Sequence, residues 1–121
     1  MGGFKVRVEK VCKGVRVTSG EYDFIVYDYP DLSGTFYAAS VFAKTLGGVL
    51  PSQEWLKVVY GNLGFINPLL EHKLNHHNYY WSSDEAKHGG EDAWFMNMAN
   101  GRVLDFNIYD LPISVRVFSA V

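Results

Sequence analysis

From Tyr79 to the end of the chain, the sequence is cut into short apolar-alternating runs, and this limits the available folds more than anything else in it. The runs are Tyr79-Tyr80-Trp81-Ser82-Ser83, Ala93-Trp94-Phe95-Met96-Asn97-Met98, Asn100-Gly101-Arg102-Val103 and Val115-Arg116-Val117. Gly, Asn, Asp and Ser punctuate them at short intervals. A two-residue period broken by turn formers predicts a small antiparallel sheet that buries one face and displays the other. Trp94, Met96 and Met98 fall on one strand face, and Phe95 and Asn97 on the other. Val115 and Val117 point one way, Arg116 and Phe118 the other.

The segments before this block read as its support. Phe4, Val6 and Val8 alternate with Lys5, Arg7 and Glu9, as in a half-buried strand. A turn at Lys13-Gly14 leads to a second strand over Val15 to Thr18, and Ser19-Gly20 makes another turn. Asp23 to Tyr27 is continuously apolar inside, as a strand covered on both faces is. Pro30, Asp31 and Gly34 break the pattern. Thr35 predicts a helix N-cap, with Ala39, Phe42, Ala43 and Leu46 as the buried stripe and Gly47 as the left-handed end. Ser52 predicts a second N-cap, with Glu54 near the positive end and Trp55, Leu56, Val59 and Tyr60 inward. Asn67-Pro68 predicts a third start, burying Leu69, Leu70 and Leu74. Strands, then helices, then strands make an α+β fold. The terminal strands are expected to pair and to tie both ends into one sheet.

The length of 121 residues suits one domain, 1–121, able to form a core without staples. A net charge of −2 gives no basic footprint for nucleic acid. The single cysteine, Cys12, excludes an intrachain disulfide. That suits a reducing compartment, or a virion or cell surface that does without disulfides. Met1 to Val8 carries no signal-peptide core, and no stretch approaches a membrane span.

Chemical constellations are incomplete. His72 and His76 at helical i, i+4 spacing would place two imidazoles on one face, but no third ligand accompanies them. Asp84-Glu85 and Glu91-Asp92 bracket His88-Gly89-Gly90 and could gather oxygens for calcium, yet Lys87 sits among them and the EF-hand spacing is missing. Cys12 lies between Lys10 and Lys13 in a strand-like stretch, where a lone cysteine is more often a small buried hydrophobe. Ser82 and Ser83 lack nucleophile-elbow glycines. No metal or cofactor is therefore expected, and no catalytic set. The tryptophans Trp55, Trp81 and Trp94 read as core. Tyr79, Asp84, His88, Phe95, Arg102, Asp105, Asn107, Tyr109 and Asp110 lie between sheet positions and turns, with the aromatic and polar character of a binding surface. The alternative is an ordinary solvated face.

Leu46 to Ser52, Ile66 to Leu70, Tyr80 to Glu85, Ala93-Trp94 and Val115-Arg116 are ordered segments that, over residues 21–121, resemble bacterial and phage C-type lectin-like domains. Leu46-Gly47-Gly48-Val49-Leu50-Pro51-Ser52, with Glu54 and Leu56, is similar to their LGG-x-LP segment. Ile66-Asn67-Pro68-Leu69-Leu70 is similar to their IN-x-x-L helix. Tyr80 to Glu85, Ala93-Trp94 with Asn97-Met98, Gly101 and Val103, and Val115-Arg116 with Phe118 resemble their ending. The resemblance implies a C-type lectin-like α+β fold with paired termini. Trp81, Trp94, Gly101 and the Val115-Arg116 pair would be scaffold, and the residues between them the displayed positions. It implies a non-enzymatic module that binds a protein or glycan on a phage particle or bacterial surface, as do the variable proteins of diversity-generating retroelements. A structural domain using the same face as a homo-oligomer interface is one alternative, and a degenerate enzyme of the formylglycine-generating type is another. The branch also includes formylglycine-generating enzymes, but those use paired cysteines, and one cysteine argues against that activity. The calcium motifs of animal lectins are absent. Where family members often carry a lysine, this chain reads Asp105 to Asp110 and is more apolar.

Overall fold

The computed structural model describes residues 5–85, 93–104 and 112–121. Over these residues the chain is a mixed α+β structure with two small sheets and three helices. Three strands open it: β1 (Val6–Val11), β2 (Gly14–Ser19) and β3 (Tyr22–Tyr27). They form consecutive antiparallel hairpins, because Cys12-Lys13 and Gly20-Glu21 leave only two residues to reverse the chain. Cys12 thus sits exposed in a turn, not buried in a strand as expected. A two-residue strand, β4 (Leu32–Ser33), occupies the stretch where Pro30 and Asp31 predicted only a break.

The first two helices form where their local signals place them. In α1 (Phe36–Thr45), the Thr35 hydroxyl accepts the Ala38 N–H at 3.1 Å. Gly47 has φ 77°, a conformation costly for any residue with a Cβ. It lets the Gly47 N–H reach the Lys44 carbonyl and the Gly48 N–H the Ala43 carbonyl, closing the helix with both Schellman bonds. In α2 (Gln53–Gly61), the Ser52 hydroxyl accepts the Trp55 N–H at 3.1 Å. The third start differs from expectation. A single-turn helix, α3 (Leu63–Ile66), comes first, and Asn67–Leu69 is a 3₁₀ turn. His72 and His76 follow in irregular chain, so the helical spacing that would align their imidazoles does not exist.

The second sheet contains β5 (Tyr79–Glu85), β6 (Ala93–Asn97), β7 (Arg102–Leu104) and β8 (Ile113–Val115), in the order β4-β8-β5-β6-β7. It is not wholly antiparallel, since β5 and β8 run parallel through Tyr79↔Ile113 and Tyr80↔Ser114. The last strand, β9 (Phe118–Ala120), completes the first sheet in the order β1-β2-β3-β9. Both terminal strands therefore share a sheet but do not pair with each other. β9 takes the edge of the more apolar β3, where Phe118 stacks on Phe24 at 5.6 Å, and Trp55 stacks on Phe24 at 4.9 Å.

Two apolar clusters hold these parts. The first joins Val15, Val17, Phe24 and Val26 of the first sheet to Leu56 and Val59 of α2, and to Tyr80, Met96 and Met98. The second joins Ala39 and Ala43 of α1 to Trp81, Ala93, Phe95, Ile113 and Val115. Adjacent strand residues point to opposite faces, so β5 and β6 feed both clusters. Both faces of the second sheet thus carry core residues at β5 and β6, where the alternation predicted one buried and one displayed.

Candidate functional site

Among the described residues, part of the expected display surface is accessible and part is buried. Strand register defines the face of the second sheet that looks toward α1. Trp81 pairs with Phe95, and Phe95 with Leu104. One step along, Tyr79 pairs with Asn97, and Asn97 with Arg102. Each trio is a row across three strands, with cross-strand Cβ atoms about 5 Å apart. The first row runs into the core. Trp81 is buried, with its indole N–H donating to the Gly34 carbonyl at 2.8 Å and its ring meeting Phe36 of α1 at 5.8 Å. Phe95 packs edge-on against Trp81 at 5.6 Å and against Tyr79 at 5.9 Å. At 1% exposure Phe95 is a core residue, not a displayed one. Leu104, at the far end of that row, is exposed.

The second row is accessible. Tyr79 and Asn97 are half-buried and Arg102 is exposed. The turn between β6 and β7 fixes their spacing. The Asn97 carboxamide oxygen accepts the Ala99 N–H at 2.9 Å, and that of Asn100 accepts the Arg102 N–H at 2.9 Å. Gly101, at φ 75°, closes the turn against the Tyr60 ring. The Met98 N–H donates to the Asn78 carbonyl at 3.0 Å, locking the turn to the start of β5. The row therefore presents a phenol, a carboxamide and a guanidinium on a rigid support. These groups suit stacking on an apolar surface and hydrogen bonding to hydroxyl or carboxylate oxygens.

The other expected site residues divide in two. Asp84 is engaged elsewhere: its carboxylate accepts the Gln53 N–H at 2.8 Å and helps Ser52 to cap α2. His88, Asp105, Asn107, Tyr109 and Asp110 lie outside the described residues, as does most of the carboxylate loop considered for calcium. Trp94, expected in the core, is half-buried. Asn97 is the member that sequence reading placed on the right face but did not select. Its pairing with both Tyr79 and Arg102 is visible only once the register is known.

A buried polar cluster holds the start of β5 in place. Arg116 is buried, and its Nε donates to Asp31 Oδ1 at 3.0 Å. Its remaining nitrogens donate to the carbonyls of Tyr27 at 3.2 Å and Lys73 at 3.4 Å. The other Asp31 oxygen accepts the Tyr80 hydroxyl at 2.5 Å, and the Tyr80 oxygen in turn accepts the Asn75 N–H. Burial, reinforced by the Asp31 carboxylate, holds the Tyr80 phenol well above its ordinary pKa. Every described member is partnered, so the cluster reads as a clamp that fixes Tyr80 and hence the neighbouring Tyr79. No family model and no curated protein matches the chain.

Proposed function

We propose that the chain is a non-enzymatic ligand-binding module of the C-type lectin-like kind, which meets a protein or glycan partner through the Tyr79–Asn97–Arg102 row. The observation that carries this reading is the register itself. It sets an aromatic, an amide and a cation side by side on three strands, while Trp81 and Phe95 of the next row pack into the cluster that includes α1. Rigid aromatics beside adaptable polar groups are the combination that binding surfaces favour. The two sheets, and two helices capped at Thr35, Ser52 and Gly47, fit the C-type lectin-like architecture.

A screen of the intact chain against glycans and proteins tests this. A ligand is expected whose affinity falls roughly tenfold on Tyr79→Ala or Arg102→Ala. A ligand indifferent to both substitutions overturns the assignment of the face. The exposed Leu104 at the end of the adjoining row favours a second reading, in which this face is an oligomer interface. Self-association abolished by Leu104→Asp, together with a blank screen, would establish that alternative instead.

A further inference from the structure

The outer edge of β1 is unpaired among the described residues, since β1 bonds to β2 alone. Which of its backbone groups face outward follows from the hydrogen bonding of its neighbours. The Asp28 N–H donates to the Lys13 carbonyl at 2.9 Å. That bond flanks the Gly14↔Tyr27 pair and makes it a non-hydrogen-bonded pair on the β3 side. The N–H and C=O of Gly14 therefore turn toward β1 and bond Val11, its partner across the two-residue turn. By alternation Val11, Glu9 and Arg7 bond inward to β2, and Lys10, Val8 and Val6 aim their N–H and C=O groups outward.

We propose that two copies of this chain pair antiparallel along this edge, about a two-fold axis at Val8, joining their first sheets into one. In that register Val8 meets Val8 of the second copy, Val6 meets Lys10, and Lys10 meets Val6. These are the residues with outward-facing groups, so each pair exchanges both backbone bonds. Arg7 then faces Glu9 of the second copy in the non-bonded position, where side chains approach most closely, and the symmetry repeats that contact. Both side chains are exposed.

The charges favour this register. Glu9 lies opposite Arg16 within the chain, and Arg16 holds Asp23 through bonds of 2.9 and 2.7 Å. The sign thus alternates across the strands from Asp23 to Arg16 to Glu9, and Arg7 of the second copy continues the alternation. An edge guarded by lysines alone would repel its own copy. Here Lys5 and Lys10 fall opposite Val11 and Val6, so no like charges face each other. The half-buried Val6 and Val8 would be covered further. The pairing leaves the second sheet untouched and gives one particle two copies of its surface.

Sedimentation of the intact chain over a range of concentrations tests the pairing. A concentration-dependent dimer is expected. Arg7→Glu and Glu9→Arg should each raise its dissociation constant roughly tenfold or more, because each substitution sets two like-charge pairs across the axis. An equimolar mixture of the two variants should recover the affinity, as should the double variant. A wild-type chain monomeric at every concentration overturns the proposal. So does a dimer that neither substitution weakens, or one that the mixture fails to restore.

Discussion

Arg116 shows how much of this structure rests on single polar side chains. At 2% exposure its charge has to be answered inside the protein, and Asp31 answers it from 85 residues away in sequence. Removing one partner of a buried pair leaves the other uncompensated. Arg116→Ala is expected to cost about 3–5 kcal/mol in chemical denaturation. Tyr80 shares the same carboxylate. Its pKa is raised in the folded chain, so the stability it contributes is fully present below the unfolded value near 10 and is lost as pH rises beyond it. Tyr80→Phe should flatten the alkaline limb of a stability–pH curve; an unchanged limb would contradict the assignment. Asp28 acts at the other end of the scale. Burial pushes its pKa up, but the N–H groups of Glu71 and His72, at 2.9 and 2.8 Å, outweigh this and hold it below the ordinary carboxylate value. A lowered pKa gives stability that is present above about 4 and lost as pH falls below it. Asp28→Asn should reduce that acid loss. None of these partnerships was legible in the sequence, because each joins residues that only the fold brings together.

Elements were legible where their signals are local. Thr35, Ser52 and Gly47 act within a few residues of themselves, and each occupies the expected helix-end position. Gly47→Ala should destabilise the chain by roughly 1–2 kcal/mol, since φ 77° brings the new Cβ against its own backbone. Ser52→Ala should cost about 1 kcal/mol. The Asp84 contribution to the same helix end could not be read locally, because it arrives from another strand. Alternation misled for a related reason. In Ala93 to Met98 both alternate sets contain apolar residues, and period two fixes which residues share a face but not what covers it. Ala93 and Phe95 belong to the cluster that includes α1, whereas Met96 and Met98 belong to the one that includes α2 and the first sheet. The histidine spacing failed because the chain after Leu69 leaves helical geometry.

At the scale of the whole molecule, two apolar clusters draw on the second sheet, and the Tyr79–Asn97–Arg102 row is an accessible strip of it, beside the exposed Leu104. The row is small but well supported: the Arg116–Asp31–Tyr80 clamp fixes one end, and the Gly101 turn fixes the other. The most direct test is amide chemical-shift mapping of the chain with the best ligand from the binding screen. The largest shifts are expected to fall on Tyr79, Asn97 and Arg102 and to need roughly tenfold more ligand with Arg102→Ala. Shifts concentrated on the outer face of α1, around Tyr37 and Val41, and unaffected by that substitution would contradict the assignment of this row.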